Sequence, residues 1–189
     1  PEGLDCARAV AQSLARKGIV IATGLARGVD REATDAALNA GGRVIGVAAQ
    51  GILKTPERWR HEIKQGRLTV VSPFAANAVW SARQAMQRNT IMAGLSRVLV
   101  VADCVARGGT SNQVDTHRRL GLPVFLRRGH GEGAMVAQLA ERDGVTAFWW
   151  RAGAPSPITP FVESELHPST IDNAQPSQKF EASDLECEA

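Results

Sequence analysis

Short apolar runs rich in β-branched residues alternate with segments of helical periodicity along most of the chain. The apolar runs lie at residues 18–23, 43–48, 68–71, 98–102, 123–126 and 145–148. Strands this apolar are buried on both faces, and such strands form parallel sheets with helices on each side. The sequence therefore predicts an α/β fold built on an open, doubly wound, mostly parallel sheet.

The segments between these runs predict the helices. Their apolar residues recur three and four positions apart, and several of them end at glycine, as helices commonly do. They lie at residues 4–16, 29–40, 56–65, 79–95, 110–120 and 132–142. A doubly wound sheet normally begins with a strand, whereas this sequence opens with a helix. We therefore expect the first strand to lie upstream of Pro1.

A change of composition after Ala154 divides the chain. Residues 1–154 carry 21 basic and 12 acidic residues, whereas residues 155–189 carry one basic and seven acidic residues and few apolar ones. We expect a folded domain over 1–154 and an acidic, disordered tail over 155–189. A basic body is compatible with nucleic-acid binding, but an arginine-rich surface that serves only solubility explains the charge equally well.

Composition argues against several classes of protein. The three cysteines (Cys6, Cys104 and Cys187) show no CxxC spacing, which disfavours a disulfide framework and a zinc site and favours a reducing compartment. The sequence contains no apolar run long enough to cross a membrane and no signal peptide. We therefore expect a cytoplasmic protein with no metal and no membrane partner.

A glycine-rich turn at residues 23–30 follows a predicted strand and precedes a predicted helix. Arg27 places a charge between Gly24 and Gly28, and Asp30 lies where a carboxylate can cap the helix. Free N–H groups at a helix start bind anions, and glycine lets a phosphate approach the backbone closely. The turn therefore predicts an anion site, although an ordinary tight turn would use the same residues.

A second turn of this kind lies at residues 107–111, again between a strand and a helix. Arg107 precedes two glycines, and Thr110 or Ser111 can cap the helix or bind a phosphate oxygen. The carboxyl ends of parallel strands meet at one edge of a sheet. We therefore expect the two turns to form one groove for an extended anion.

The long helix predicted over 79–95 carries an amide where an apolar residue belongs. On a helical projection Arg88 falls on the polar side, whereas Asn89 falls among the core positions. A buried amide needs hydrogen-bond partners. Asn89 therefore either pins a neighbouring loop or, if the helix bends, points with Arg88 into the groove.

Longer motifs that contain these residues resemble the DprA/Smf family of DNA-processing proteins. Residues 23–30, TGLARGVD, resemble its SGLARGID signature, and residues 87–96, QRNTIMAGLS, resemble its RRNRIIAGLS. The resemblance covers about residues 4–128. It departs at Thr90, where the family has a second arginine, and the family's G-S-R turn would precede Pro1.

The resemblance implies a Rossmann-like fold that binds single-stranded DNA, forms a homodimer and helps to load the RecA recombinase during natural transformation, with no cofactor. The positions that match the family's motifs place five residues at the DNA pocket, and three more residues align with another turn of the family. The second glycine turn of this chain adds two further candidates. These candidate phosphate-binding residues are Gly24, Arg27, Gly28, Arg88, Asn89, Arg107, Gly108, Gly109, Thr110 and Ser111.

Two other functions remain open. In a nucleotide-sensing module the same groove would hold a small nucleotide. Phosphoribohydrolases of a related fold use a PGGxGTxxE motif, of which this chain keeps Gly108-Gly109-Thr110 but has Gln113 in place of the glutamate. An amide cannot supply that negative charge, so we expect no enzymatic activity and no catalytic residue.

Overall fold

The computed structural model describes residues 2–104, 109–129, 132 and 134–166. Its strands are β1 (Ile21–Thr23), β2 (Val44–Val47), β3 (Leu68–Val71), β4 (Leu99–Val101), β5 (Val124–Arg128) and β6 (Val145–Trp149). Its α-helices are α1 (Glu2–Arg16), α2 (Val29–Asn39), α3 (Arg60–Lys64), α4 (Ala82–Leu95), α5 (Thr110–Arg119), α6 (Ala134–Ala140) and α7 (Thr159–Leu166). Every strand that the sequence predicts is present.

The strands form two three-stranded parallel sheets, in the orders β1-β2-β3 and β4-β5-β6. The register pairs Ile21 with Val44 in the first sheet and Leu99 with Val124 in the second. Because the strands of each sheet run in the same direction, their carboxyl ends meet at one edge. The predicted Rossmann-like α/β fold is confirmed.

Helices cover both faces of the second sheet. Successive side chains of a strand point to opposite faces, and β5 shows this directly. Phe125 packs with residues of α1 and α7, whereas Val124 and Leu126 pack with residues of α5 and α6. A third apolar cluster joins α1 and α2 to β2 and β3. The core therefore lies in layers on either side of the strands.

Two helices start three or four residues later than the sequence predicts. α4 begins at Ala82 because Ser81 caps it, its hydroxyl oxygen accepting a hydrogen bond from the N–H of Gln84. The helix expected from Pro56 is instead a 3₁₀ turn at Glu57–Trp59 followed by α3. None of the helices in the described ranges is long and apolar enough to span a membrane.

The packed structure extends past the boundary expected at Ala154. α7 lies on α1, with Ile158 and Val162 buried in the core and the hydroxyl of Thr159 bonded to that of Ser13 at 2.9 Å. Residues 155–166 are therefore not the separate tail that we expected. A helix needs only a narrow apolar stripe to dock, so an acidic composition does not prevent it. Residues 167–189 lie outside the described residues.

Candidate functional site

The two glycine turns open on one cleft at the carboxyl ends of β1 and β4. The cleft encloses about 450 Å³. Six of the candidate residues line it: Arg27, Gly28, Arg88, Asn89, Gly109 and Thr110. Leu4 of α1 and Asp103, which follows β4, also line the cleft. The structure therefore brings the two turns and the middle of α4 together.

The first turn is held in an unusual backbone conformation. Leu25 has a φ of 54°, a value that non-glycine residues rarely adopt, and its side chain fills the space above Gly46. Such a conformation costs about 1–3 kcal/mol and persists only where the surroundings enforce it. Gly28, with a φ of 89°, then leads into α2. The packing of Leu25 therefore fixes the path of this turn.

Gly24 has a different role from the one we expected. A Cβ atom at residue 24 would lie 1.4 Å from Nη1 of Arg88. The missing side chain therefore provides the space that the Arg88 guanidinium fills, and does not provide an approach for a ligand. Arg88 is only 7% exposed, and its Nη1 donates to Sδ of Met92 at 2.7 Å. The prediction that Arg88 lies on the polar, solvated side of α4 was wrong.

Arg88 and Asp30 share the base of the cleft. Burial lowers the pKa of Arg88, whereas the nearby carboxylate of Asp30 raises it. For the Asp30 carboxyl the directions are opposite: burial raises its pKa, whereas the charge of Arg88 and the N–H groups of Ala26 and Gly24 lower it. The N–H of Ala26 donates to Oδ2 of Asp30 at 3.4 Å. Asp30 therefore bonds to the turn that precedes α2 and balances the charge of Arg88, whereas the sequence predicted that it would cap the helix.

Among the described residues, no side chain caps either of the two helices that start at the cleft. α2 begins after Gly28 and α5 after Gly109, and neither residue provides a side-chain hydrogen bond. α4, away from these turns, has the cap from Ser81. N–H groups at a helix start carry a partial positive charge that favours anions. Together with the exposed side chain of Arg27, these helix starts favour an anion at the mouth of the cleft, whereas Asp103 adds a negative charge to its wall.

Asn89 holds the second turn in place. Its Nδ2 donates to the carbonyl oxygen of Gly109 at 3.3 Å and to Oδ1 of Asn112 at 3.2 Å. Both N–H groups of the amide are therefore engaged, which agrees with the loop-pinning interpretation. In this structure Asn89 is a positioning residue, because no donor remains on its amide for a phosphate oxygen.

The remaining candidates of the second turn differ in position. Thr110 lines the cleft and forms a hydrogen bond with Cys104, whose pKa is raised by burial and lowered by that bond. Ser111 does not line the cleft. Its hydroxyl instead accepts a hydrogen bond from Arg142 at 3.4 Å. Arg107 and Gly108 lie outside the described residues, so their predicted role remains a prediction.

Two buried polar atoms of the cleft have no hydrogen-bond partner among the described residues, one on the candidate Arg88 and one on Gln113, which was not among the candidates. Gln113 is 7% exposed and lines the cleft, and its Oε1 has no hydrogen-bond partner among the described residues. The same holds for Nε of Arg88. A buried acceptor and a buried donor without partners are uncommon. The position of Gln113, one turn after Thr110 on the same helix, is the signal that could have indicated it.

Comparison with known sequences identifies the family. The family described as DNA recombination-mediator protein A matches residues 1–141. The chain belongs to this family. Protein Smf from Escherichia coli strain K12 is 35% identical over 109 residues, which are 54% of this chain and 29% of Smf. The chain therefore spans less than a third of this relative.

Solved structures of family members share the fold. DNA processing protein A (DprA) from Streptococcus pneumoniae is 27% identical with a TM-score of 0.67, over 78% of this chain and 53% of that one. The Helicobacter pylori protein, whose structure addresses its single-stranded DNA binding mode, is 19% identical with a TM-score of 0.71, over 89% and 75%. The fold extends beyond DNA-processing proteins, because the molybdenum cofactor carrier protein of Chlamydomonas reinhardtii is 23% identical with a TM-score of 0.60, over 87% of each chain.

The described ranges contain no group of three or more metal-ligating side chains.

Proposed function

We propose that the cleft binds the phosphate backbone of single-stranded DNA. The observation that carries the proposal is the convergence on one cleft of two helix starts without side-chain caps, at Gly28 and Gly109, beside the exposed Arg27. Two separate sources of positive potential suit an anion that extends over more than one phosphate. Family membership supports the same ligand.

The charged side chains of Arg88 and Asp30 have a structural role in this proposal. Arg88 and Asp30 largely cancel each other, so they add little net attraction for a phosphate. Their role is to hold the base of the first turn, over Gly24, in one shape. The attraction comes instead from the helix starts and Arg27. Contacts of this kind read the backbone and not the bases, so we expect little sequence preference.

Arg27 is the residue for the decisive test, because its exposed side chain can be removed without disturbing the core. Arg27→Ala should weaken binding of fluorescently labelled oligo-dT by about 1.5–3 kcal/mol, the range for a hydrogen bond to a charged group. It should also reduce the slope of log K against log salt by about 0.7, the value for one phosphate contact on a single strand. Fluorescence anisotropy at several salt concentrations measures both quantities.

Arg43→Ala is the matched control. Arg43 is also exposed, but it precedes β2 and so lies at the opposite edge of the sheet. This variant should bind oligo-dT as the wild type does. Equal losses in the two variants would show that binding follows overall charge and would contradict the assignment of the cleft.

A small nucleotide is the second candidate ligand. The unpartnered Oε1 of Gln113 favours it, because an acceptor inside the cleft can bind the amino group of a base. The size of the salt slope distinguishes the two. A strand that contacts several phosphates gives a steep slope, whereas a mononucleotide gives a slope near that of a single contact.

Recombinase loading, a role in natural transformation, homodimerisation and the absence of catalysis belong to the same proposal and rest on family membership. Pull-down of RecA by this chain, with and without oligo-dT, tests the first of these. Sedimentation over a range of protein concentrations tests the dimer.

A further inference from the structure

Exposed basic side chains gather at the amino ends of the strands, the edge of the sheets opposite the candidate cleft. They lie in the last turn of a helix or in the loop that leads from a helix into the next strand. Within the described ranges none of the five forms an ion pair. These residues, which we call the basic edge, are Arg16, Arg43, Lys64, Arg97 and Arg119.

Helix ends explain only part of the basic edge. The carboxyl end of a helix favours a cation, and this accounts for Arg16, Lys64 and Arg119, which lie in the last turns of α1, α3 and α5. Arg43 and Arg97 belong to no helix and lie in the loops before β2 and β4. Their exposed charges therefore extend the positive surface across both sheets without a local partner.

The helix α7 brings the chain to this edge. Its first residue, Thr159, contacts the middle of α1, whereas Glu163, one turn further on, pairs with Lys17 just after α1 at 3.4 Å. α7 therefore runs parallel to α1, which leads into the amino end of β1. Leu166, the last residue of α7, lines the same cavity as Lys17 and Arg97. The chain thus continues from Leu166 beside the basic edge and away from the candidate cleft.

An acidic segment follows in the sequence. Residues 181–188 contain no basic residue, and residues 167–180 separate them from Leu166. A chain of that length spans at most about 50 Å, whereas neighbouring strands lie about 4.8 Å apart. The segment can therefore reach every part of the basic edge. Its acidic residues are Glu181, Asp184, Glu186 and Glu188.

We propose that residues 181–188 bind the basic edge of the same chain. Single exposed ion pairs are weak, but several form here at once, and the short connection keeps the local concentration of the segment high. The contact neutralises the basic edge and so keeps nucleic acid away from it. The cleft at the opposite edge then remains the place where an extended anion binds. The contact itself does not depend on the function proposed for the cleft.

Cys187 lies within the acidic segment and provides the site for a probe. A nitroxide spin label that reacts with thiols should attach there and not to Cys6 or Cys104, because both of these side chains are buried. A chain with Cys187→Ser should take up no label, which checks this selectivity. Nuclear magnetic resonance then detects the amides near the label, since the unpaired electron broadens their signals.

We expect the amide signals of Arg16, Arg43 and Arg97 to lose most of their intensity, whereas those of residues 24–28 in the cleft should keep theirs. Raising the salt concentration from about 0.15 M to about 1 M shortens the screening length from about 8 Å to about 3 Å. The signals of the basic edge should therefore recover at high salt.

The matched control replaces the four acidic residues of the segment by their amides and keeps Cys187 and its label. In this neutral variant the signals of the basic edge should keep their intensity at low salt. Its uncovered edge should also bind oligo-dT. Arg97→Ala should therefore lower the slope of log K against log salt by about 0.7 in the neutral variant and leave it unchanged in the wild type. The substitutions are Glu181→Gln, Asp184→Asn, Glu186→Gln and Glu188→Gln.

Four outcomes would overturn the proposal. Equal signal loss in the wild type and the neutral variant, or at low and high salt, would mean that charge does not hold the segment. The strongest loss at residues 24–28 would mean that the segment occupies the cleft. Loss in an isotope-labelled chain without nitroxide, mixed with spin-labelled chains, would mean that the contact joins two copies. No effect of Arg97→Ala in the neutral variant would mean that the edge needs no cover. The resonance measurements use no nucleic acid, so they succeed or fail separately from the function proposed for the cleft.

Discussion

Replacing Gly24 by alanine tests whether this position exists to seat Arg88. The new Cβ atom would lie 1.4 Å from Nη1 of Arg88, so the guanidinium has to leave its place beside Asp30. Gly24 does not have a positive φ, so alanine brings no backbone strain there. Removing one partner of a buried ion pair costs about 3–5 kcal/mol, and the attraction between Arg88 and Asp30 acts over a longer distance than such a pair. Because Arg88 remains on the chain and can reach water through the cleft, we expect a smaller loss of about 2 kcal/mol.

Urea denaturation followed by circular dichroism measures this loss as a change in the free energy of unfolding. Gly94→Ala is the matched control, because a Cβ atom there meets no atom within 4 Å and alanine favours the helix α4. The control should gain roughly 0.5–1 kcal/mol. The Gly24→Ala penalty should also shrink when Asp30 is already asparagine, since the displaced guanidinium then leaves no charge behind. The same penalty in both backgrounds, or no penalty at all, would refute the reasoning.

Three further predictions concern stability. Burial raises the pKa of the Asp30 carboxyl above its usual 3.8, so the folded state binds the carboxyl proton more tightly than the unfolded state does. The wild type should therefore lose stability relative to Asp30→Asn as the pH rises above 3.8. Burial lowers the pKa of His117 below its usual 6.5; stability should therefore fall as the pH drops below 6.5, with a smaller fall in His117→Gln. Denaturant titrations at a series of pH values measure both effects. Ile158→Ala should cost about 2–5 kcal/mol because the side chain is fully buried, whereas the exposed Glu165→Ala should stay within about 0.5 kcal/mol. An equal effect of these last two changes on the melting curve would show that α7 is not docked.

The strands could be predicted from the sequence because a strand buried on both faces leaves an unmistakable apolar run. The convergence of the two glycine turns followed from the same reasoning, since parallel strands place their carboxyl ends together. The burial of Arg88 could not be predicted in this way. A helical projection describes one helix in isolation, and the space for the guanidinium is created by Gly24, 64 positions earlier in the chain.

The prediction that the fold ends at Ala154 was wrong for a different reason. Composition describes the average of a segment, and the average over residues 155–189 is acidic and polar. Docking of α7 depends on Ile158 and Val162, which lie one helical turn apart and point the same way. Such a short stripe is diluted in any average over a long segment.

The attachment of α7 to α1 has a consequence for how the protein forms. Thr159 and Ser13 are 146 residues apart, so the core around the first helix closes only when almost the entire described chain is available. Contacts this distant in sequence slow folding, because the ends of a long loop must meet before the contact stabilises anything. During synthesis α1 therefore leaves the ribosome long before its last partner does. The part of its apolar face that packs on α7 and not on α2 would stay uncovered for that interval, which exposes the nascent chain to aggregation or to chaperone capture there.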